Sequence, residues 1–126
     1  DAPIPSPTPQ NVPDLPVAKI MSELEGLIVS QKLYLDPDLT LSRIARRLGY
    51  PAKQVSTAIN RTTGENVSRY VNKYRVEHAC QVLDRGESVT SAMLASGFNT
   101  KSNFNREFLR ITGITPSQWM QKKQGL

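Results

Sequence analysis

From position 17 onward, apolar residues recur at the spacing of helices buried along one face. Leu24, Leu27, Ile28 and Gln31 fall on one stripe and predict a first helix over 17–32. Asp36-Pro37-Asp38 predicts a turn. Thr40 is a capping residue for a helix over 41–48 that turns Leu41, Ile44, Ala45 and Leu48 inward and stops at Gly49. A third helix over 52–62, with Val55, Ala58 and Ile59 inward, ends at Gly64. The longest helix, 66–84, carries Val67, Tyr70, Val71 and Tyr74 on one face, with Val76, Ala79, Val82 and Leu83 extending the apolar surface. An apolar arc that wide predicts burial between two bodies. Arg85-Gly86 ends it, and Ser88 caps a short helix over 89–96 that Gly97 stops. Phe104, Phe108 and Leu109 give a sixth helix, over 100–110, its inward face. Thr115-Pro116 supplies an N-cap and a proline at the first helical position of a seventh, anchored by Trp119. No strand pattern occurs, so the expected fold is all-α with about seven helices.

Within this series the stretch 41–64 is echoed by 89–113, offset by 48 to 49 residues. Gly49-Tyr50 answers Gly97-Phe98, Val55 answers Phe104, Ile59 answers Phe108, and Thr63-Gly64 answers Thr112-Gly113. Each copy is a short helix, a glycine turn and a second helix. This is the helix-turn-helix pattern, whose second helix enters the major groove of DNA. The expected organisation is therefore two homeodomain-like subdomains, about 17–64 and 88–124, joined by the linker helix 66–84 within a domain spanning 17–126. Six of the nine prolines fall in the first sixteen residues. Their alternation favours extended polyproline-like chain, so residues 1–16 read as a linker to an upstream segment.

Charge sharpens the picture. Residues 1–39 hold two basic and six acidic side chains, a net of −4, whereas 40–126 hold fourteen basic and five acidic ones, a net of +9. A basic body of this kind suits a polyanion, with nucleic acid before membrane. The 126 residues fit one ordinary domain, and no apolar run is long enough to span a membrane. One cysteine (Cys80) and one histidine (His78) exclude an internal disulfide and leave no metal-ligand pattern. Ser42, Ser56 and Ser102 lack a paired histidine and carboxylate, and no glycine-rich phosphate loop occurs, so no enzyme and no cofactor is expected. The alternative is a helical adaptor whose basic face meets an acidic protein or RNA polymerase.

Residues 40–121 resemble the C-terminal DNA-binding domain of AraC/XylS-type transcription regulators. The resemblance is carried by Gly97-Phe98, Ser102-Asn103-Phe104, Arg106, Phe108, Gly113 and Thr115-Pro116, and in the linking helix by Tyr74-Arg75-Val76, Ala79 and Leu83. It implies two helix-turn-helix units reading adjacent major-groove segments of double-stranded DNA, usually in an activator, with RNA polymerase as a further partner and an upstream sensor or dimerisation region. The tract 34–41 resembles members whose upstream half is a membrane sensor. A cytoplasmic location follows from the implied function. Two positions depart from the pattern. Met93 stands in place of alanine, and Pro51 replaces a serine cap at the start of the first recognition helix.

On the third helix the outward set includes Lys53, Gln54, Ser56 and Thr57; by resemblance Lys53, Ser56 and Thr57 occupy base-reading positions, and Gln54 is suited to a base or to a phosphate. Lysine suits guanine O6 and N7, glutamine can read adenine, and the hydroxyls can bond several bases or meet a thymine methyl. On the sixth helix the corresponding set is Thr100, Lys101, Ser102, Asn103 and Arg106. Asn103 is suited to adenine, and Arg106 to guanine or to phosphate. Thr40, Arg43, Asn60, Arg61, Arg69, Lys73 and Arg110 are candidates for phosphate contact. The helix starts near Thr40, Ser88 and Asn99 add backbone N–H donors.

Overall fold

The computed structural model describes residues 16–124; apart from Pro16, the proline-rich linker read from the sequence lies outside them. Seven α-helices follow one another among the described residues: α1 (Val17–Gln31), α2 (Leu41–Leu48), α3 (Ala52–Thr63), α4 (Val67–Asp84), α5 (Val89–Ala95), α6 (Lys101–Thr112) and α7 (Pro116–Gln124). A single 3-10 turn, Leu33–Leu35, sits between α1 and α2.

The helix boundaries follow from side-chain capping. Thr40, Asn66, Ser88 and Thr100 each accept a hydrogen bond from the backbone N–H three residues on, satisfying a donor the helix cannot. Thr100, not Asn99, caps α6, and Asn99 instead donates to the Pro37 carbonyl. Thr115 and Gln118 exchange side chain-to-backbone bonds at the start of α7, a reciprocal capping box. Pro51 brings no side-chain cap to α3, but its carbonyl accepts from Gln54 and Val55 N–H and the helix starts at Ala52.

Two apolar cores result, and they share no residue. The first gathers Ile20, Leu24 and Ile28 of α1, Ile44 of α2, Val55 and Ile59 of α3, and Tyr70 and Val71 of α4. The second gathers Val76, Ala79, Val82 and Leu83 of α4 with Ala92, Phe98, Phe104 and Phe108. Helix α4 therefore lends its first half to one core and its second half to the other. Each fully buried aromatic such as Phe104 contributes about 1.5–3 kcal/mol by leaving water. Trp119 packs edge-on against Phe108, with ring centroids 5.9 Å apart, and its indole N–H donates to Asp84. Met93 and half-buried Cys80 border the same core. The inward assignment of Leu109 is corrected, and the apolar stripe of α1 ends before Gln31. Gln31 is exposed and accepts a bond from Arg47, and Leu109 is 48% exposed because α6 turns only its Phe104–Phe108 edge to the core.

Candidate nucleic-acid interface

Helices α3 and α6 are the second helices of the two repeats, and each buries one edge and exposes the other. Val55, Ala58 and Ile59 anchor α3, leaving Lys53 exposed and Gln54, Ser56 and Thr57 half-buried at the rim. Phe104 and Phe108 anchor α6, leaving Lys101, Ser102 and Arg106 exposed and Asn103 half-buried.

Three hollows border these two faces. Beside α3 lies a hollow of about 600 Å³ lined by Ser56, Thr57, Asn60, Arg61 and the first turn of α4. That turn, together with Leu41, also lines a cleft of about 570 Å³ reaching Thr40, Arg69, Arg75, Asn103 and Arg106. Arg106 in turn borders a third hollow, of about 670 Å³, with Lys101 and Asn105. The hollows thus form a row, sharing lining residues, from one recognition helix, past the start of α4, to the other.

The hydrogen bonds refine what these side chains can offer. Ser56 Oγ donates to the Lys53 carbonyl at 3.1 Å, leaving its lone pairs free to accept. Thr100 is occupied as a cap through Oγ1. Arg106 Nη2 donates to Asn103 Oδ1 at 2.7 Å, so the two side chains are held together and the amide oxygen already accepts one bond.

Among the phosphate candidates, Thr40, Asn60, Arg61 and Arg69 border these hollows. Three others lie elsewhere, two of them in ion pairs. Arg43 pairs with Asp36 at 3.6 Å beside Arg46 and Arg47. Lys73 lines a separate hollow with Glu25 and Glu65. Arg110 is held between Glu107 at 2.7 Å and Glu65 at 3.5 Å.

Glu107 was not singled out by its sequence context, which reads like any charged helix position. It is buried at 6% exposure, accepts from Asn72 Nδ2 at 3.2 Å, and is bonded through both oxygens by Arg110. The Arg110 hydrogen bonds hold its carboxyl below the ordinary value of 4.5; burial opposes them, and Asn72 and the charges of Arg110 and Arg106 add to them. The same bond raises Arg110. Because the folded carboxyl titrates below the unfolded one, its stabilisation is present above the unfolded value and is lost as pH falls through the folded value. Urea unfolding of Glu107→Gln across pH 3–7 should show lower stability at neutral pH and a flatter acid limb than the unaltered chain. Parallel profiles would assign the acid sensitivity to other groups.

Among the described residues, no group of His, Cys, Asp and Glu could hold a metal ion, and no helix is long and apolar enough to cross a membrane. His78 Nδ1 lies 3.0 Å from the buried Ser96 hydroxyl, and burial, with Arg85 and Lys32, lowers its pKa.

Two helix-turn-helix units on a shared helix, each with an exposed second helix, define a DNA-binding regulator domain. Residues 44–122 match the family described as "Helix-turn-helix domain". The chain is 22% identical, with a TM-score of 0.69, to a transcriptional regulator of AraC-type DNA-binding-domain class from Chromobacterium violaceum, covering 82% of this chain and 94% of that one. It is 21% identical, again with a TM-score of 0.69, to the C-terminal domain of the two-component response regulator yesN from Fusobacterium nucleatum, covering 81% and 98%. An uncharacterised HTH-type transcriptional regulator of Bacillus subtilis, YtdP, is 30% identical over 92 residues, which is 72% of this chain and 12% of that protein. This chain belongs to the helix-turn-helix domain family, and its fold is shared with AraC-type DNA-binding domains. It spans about an eighth of the length of the curated relatives it matches.

Proposed function

We propose that this domain reads a two-block, non-palindromic duplex site, with α3 in one major-groove segment and α6 in the next. The observation that carries the reading is the row of three hollows, sharing lining residues, that borders the exposed faces of α3 and α6 and the start of α4. Lys53, Gln54, Ser56 and Thr57 read the first block, with selectivity limited by the short hydroxyl side chains. Lys101, Ser102 and the Asn103–Arg106 pair read the second. The backbone between the blocks passes the central cleft, where Arg69, Arg61, Asn60 and Thr40 meet phosphate. By family resemblance the full regulator is an activator that also meets RNA polymerase and carries an upstream sensing or dimerisation region. A chromosomal target gives it a cytoplasmic location, with or without an upstream membrane tether.

Selection from a random duplex pool tests this. The chain should enrich two information-rich blocks. Lys101→Ala and Arg106→Ala should erase preference in one block only, each at a cost of about 1–3 kcal/mol per base read. Raising salt from 50 to 200 mM should weaken binding by about 10³–10⁵-fold if some 6–10 phosphates are engaged. Weaker binding with unchanged preference would move Lys101 and Arg106 to the phosphates. No enrichment together with salt-insensitive binding to a protein would favour the adaptor reading.

A further inference from the structure

We infer that Arg75 is a positioning residue that fixes the angle between the two helix-turn-helix units, and with it the spacing of the two sequence blocks the chain accepts. The inference rests on the DNA-reading proposal above. The two apolar cores meet α4 on either side of Arg75, at Tyr70–Val71 and at Val76–Leu83, and no buried apolar residue belongs to both. Hydrophobic packing therefore fixes each unit to α4, and beyond α4 itself and the close approach of Gly97 to the Tyr34–Leu35 backbone their mutual angle is left to polar contacts.

A polar clasp occupies that gap. Arg75 Nε donates to the Tyr34 carbonyl at 2.7 Å and Nη2 to the Asp36 carbonyl at 2.8 Å, both in the segment leading into α2. Its Nη1 donates to Asn72 Oδ1 at 3.2 Å, and its Cζ lies 6.0 Å from the centre of the Phe98 ring in the second unit. Asn72 passes the connection on by donating to Glu107 of α6, which Arg110 ties to Glu65 beside the first unit. On the far side of Arg75, Asn99 donates to the Pro37 carbonyl. One half-buried guanidinium thus touches the approach to α2, the middle of α4 and the turn before α6. A planar fork can serve two carbonyls and an amide while lying over a ring; a lysine ammonium cannot.

Base reading by two helices at once demands a fixed separation, because each added base pair both translates and rotates the second block. Two inserted base pairs between the selected blocks should cost the unaltered chain on the order of 100-fold, comparable to losing a base contact or two. Arg75→Ala should keep the identity of both blocks, lose about tenfold in affinity at the best spacing as the units lose mutual order, and tolerate the insertion with less than about tenfold further loss. Arg75→Lys, which retains charge, should behave like the alanine variant.

A second measurement reads the angle without DNA. Spin labels at Thr62→Cys and Asn105→Cys, in a Cys80→Ser background, should give a narrow distance distribution that broadens in Arg75→Lys. If Arg75→Ala does not fold, the lysine variant and Asn99→Ala, which removes only the Pro37 contact, decide the matter by the same two readouts. Unchanged label distances together with unchanged spacing tolerance in folded Arg75 variants would overturn the inference while leaving the DNA reading intact. If the unaltered chain enriches no two-block site, the DNA reading fails and the spacing role falls with it.

Discussion

Gly97→Ala is expected to unfold or severely loosen the second unit, whereas the equivalent change in the first repeat, Gly49→Ala, is expected to be mild. Both glycines follow the short helix of their repeat with nearly the same positive φ, +87° at Gly97 and +82° at Gly49. An alanine at either site meets the left-handed backbone penalty of about 1–2 kcal/mol. The surroundings then separate the two. At Gly49 an added Cβ has nothing within 4 Å. At Gly97 it falls 2.6 Å from the Tyr34 carbonyl oxygen and 2.9 Å from the Leu35 carbonyl group. These are backbone atoms that cannot rotate away, and the Tyr34 carbonyl is already held by Arg75. The segment leading into α2 and the turn before α6 would have to part, which adds at least the 1–3 kcal/mol typical of forcing bulk into a packed site. Thermal unfolding by circular dichroism should place Gly97→Ala about 10–20 °C below the unaltered chain, at some 4–8 °C per kcal/mol for a domain of this size. Gly49→Ala should fall by less than about half of that. Equal losses at the two glycines would mean that the close approach of the units contributes nothing to stability.

This pair also marks the limit of what the sequence makes legible. The repeat, the caps and the division of α4 between two bodies are local or periodic features, so they can be read from residue order alone. Gly97 is recognisable as a turn residue by the same logic, but its contact with Tyr34 and Leu35 joins positions some sixty residues apart. Charged and amide residues were harder. Asn72, Arg75 and Glu107 fall in stretches rich in charged residues, as occur on solvated helix faces. The packing of α4 against α6 turns Asn72 and Glu107 inward, and the segment leading into α2 does the same for Arg75. The same blindness explains Arg110, a cation whose spacing suits phosphate but whose neighbours are Glu107 and Glu65. Leu109 failed for the opposite reason: it adjoins Phe108 in sequence, yet the helical turn of one residue carries it to the solvent side. For the base-reading set, period alone put Lys53, Lys101 and Arg106 on exposed faces, where the structure has them. The bond that couples Arg106 to Asn103 depends on side-chain conformation, which residue order does not carry.

Val76→Pro should abolish two-block recognition. Val76 is fully buried in the second core and lies in the middle of the 18-residue helix α4, directly after Arg75. Proline there removes one main-chain hydrogen bond and drives its ring against the carbonyl four residues back, that of Asn72, at about 3 kcal/mol or more. In a domain of ordinary stability, about 5–15 kcal/mol, such a loss can leave a folded but kinked population. The kink falls where the first core ends and the second begins, so it would swing α6 relative to α3 and pull Asn72 and Arg75 out of the polar clasp. Two recognition helices at a wrong angle can each still meet phosphate, so weak, salt-sensitive general binding should survive while block preference disappears. Val76→Ala separates this effect from simple loss of packing. It removes two methyl groups at a cost of about 1–3 kcal/mol but leaves the helix straight, and should retain the same two-block preference. Footprinting of both variants on the selected site, after circular dichroism has established that each is folded, makes the comparison. A folded Val76→Pro variant that protects both blocks with undiminished affinity would mean that α4 does not hold the two reading heads in register, and that the polar clasp alone suffices.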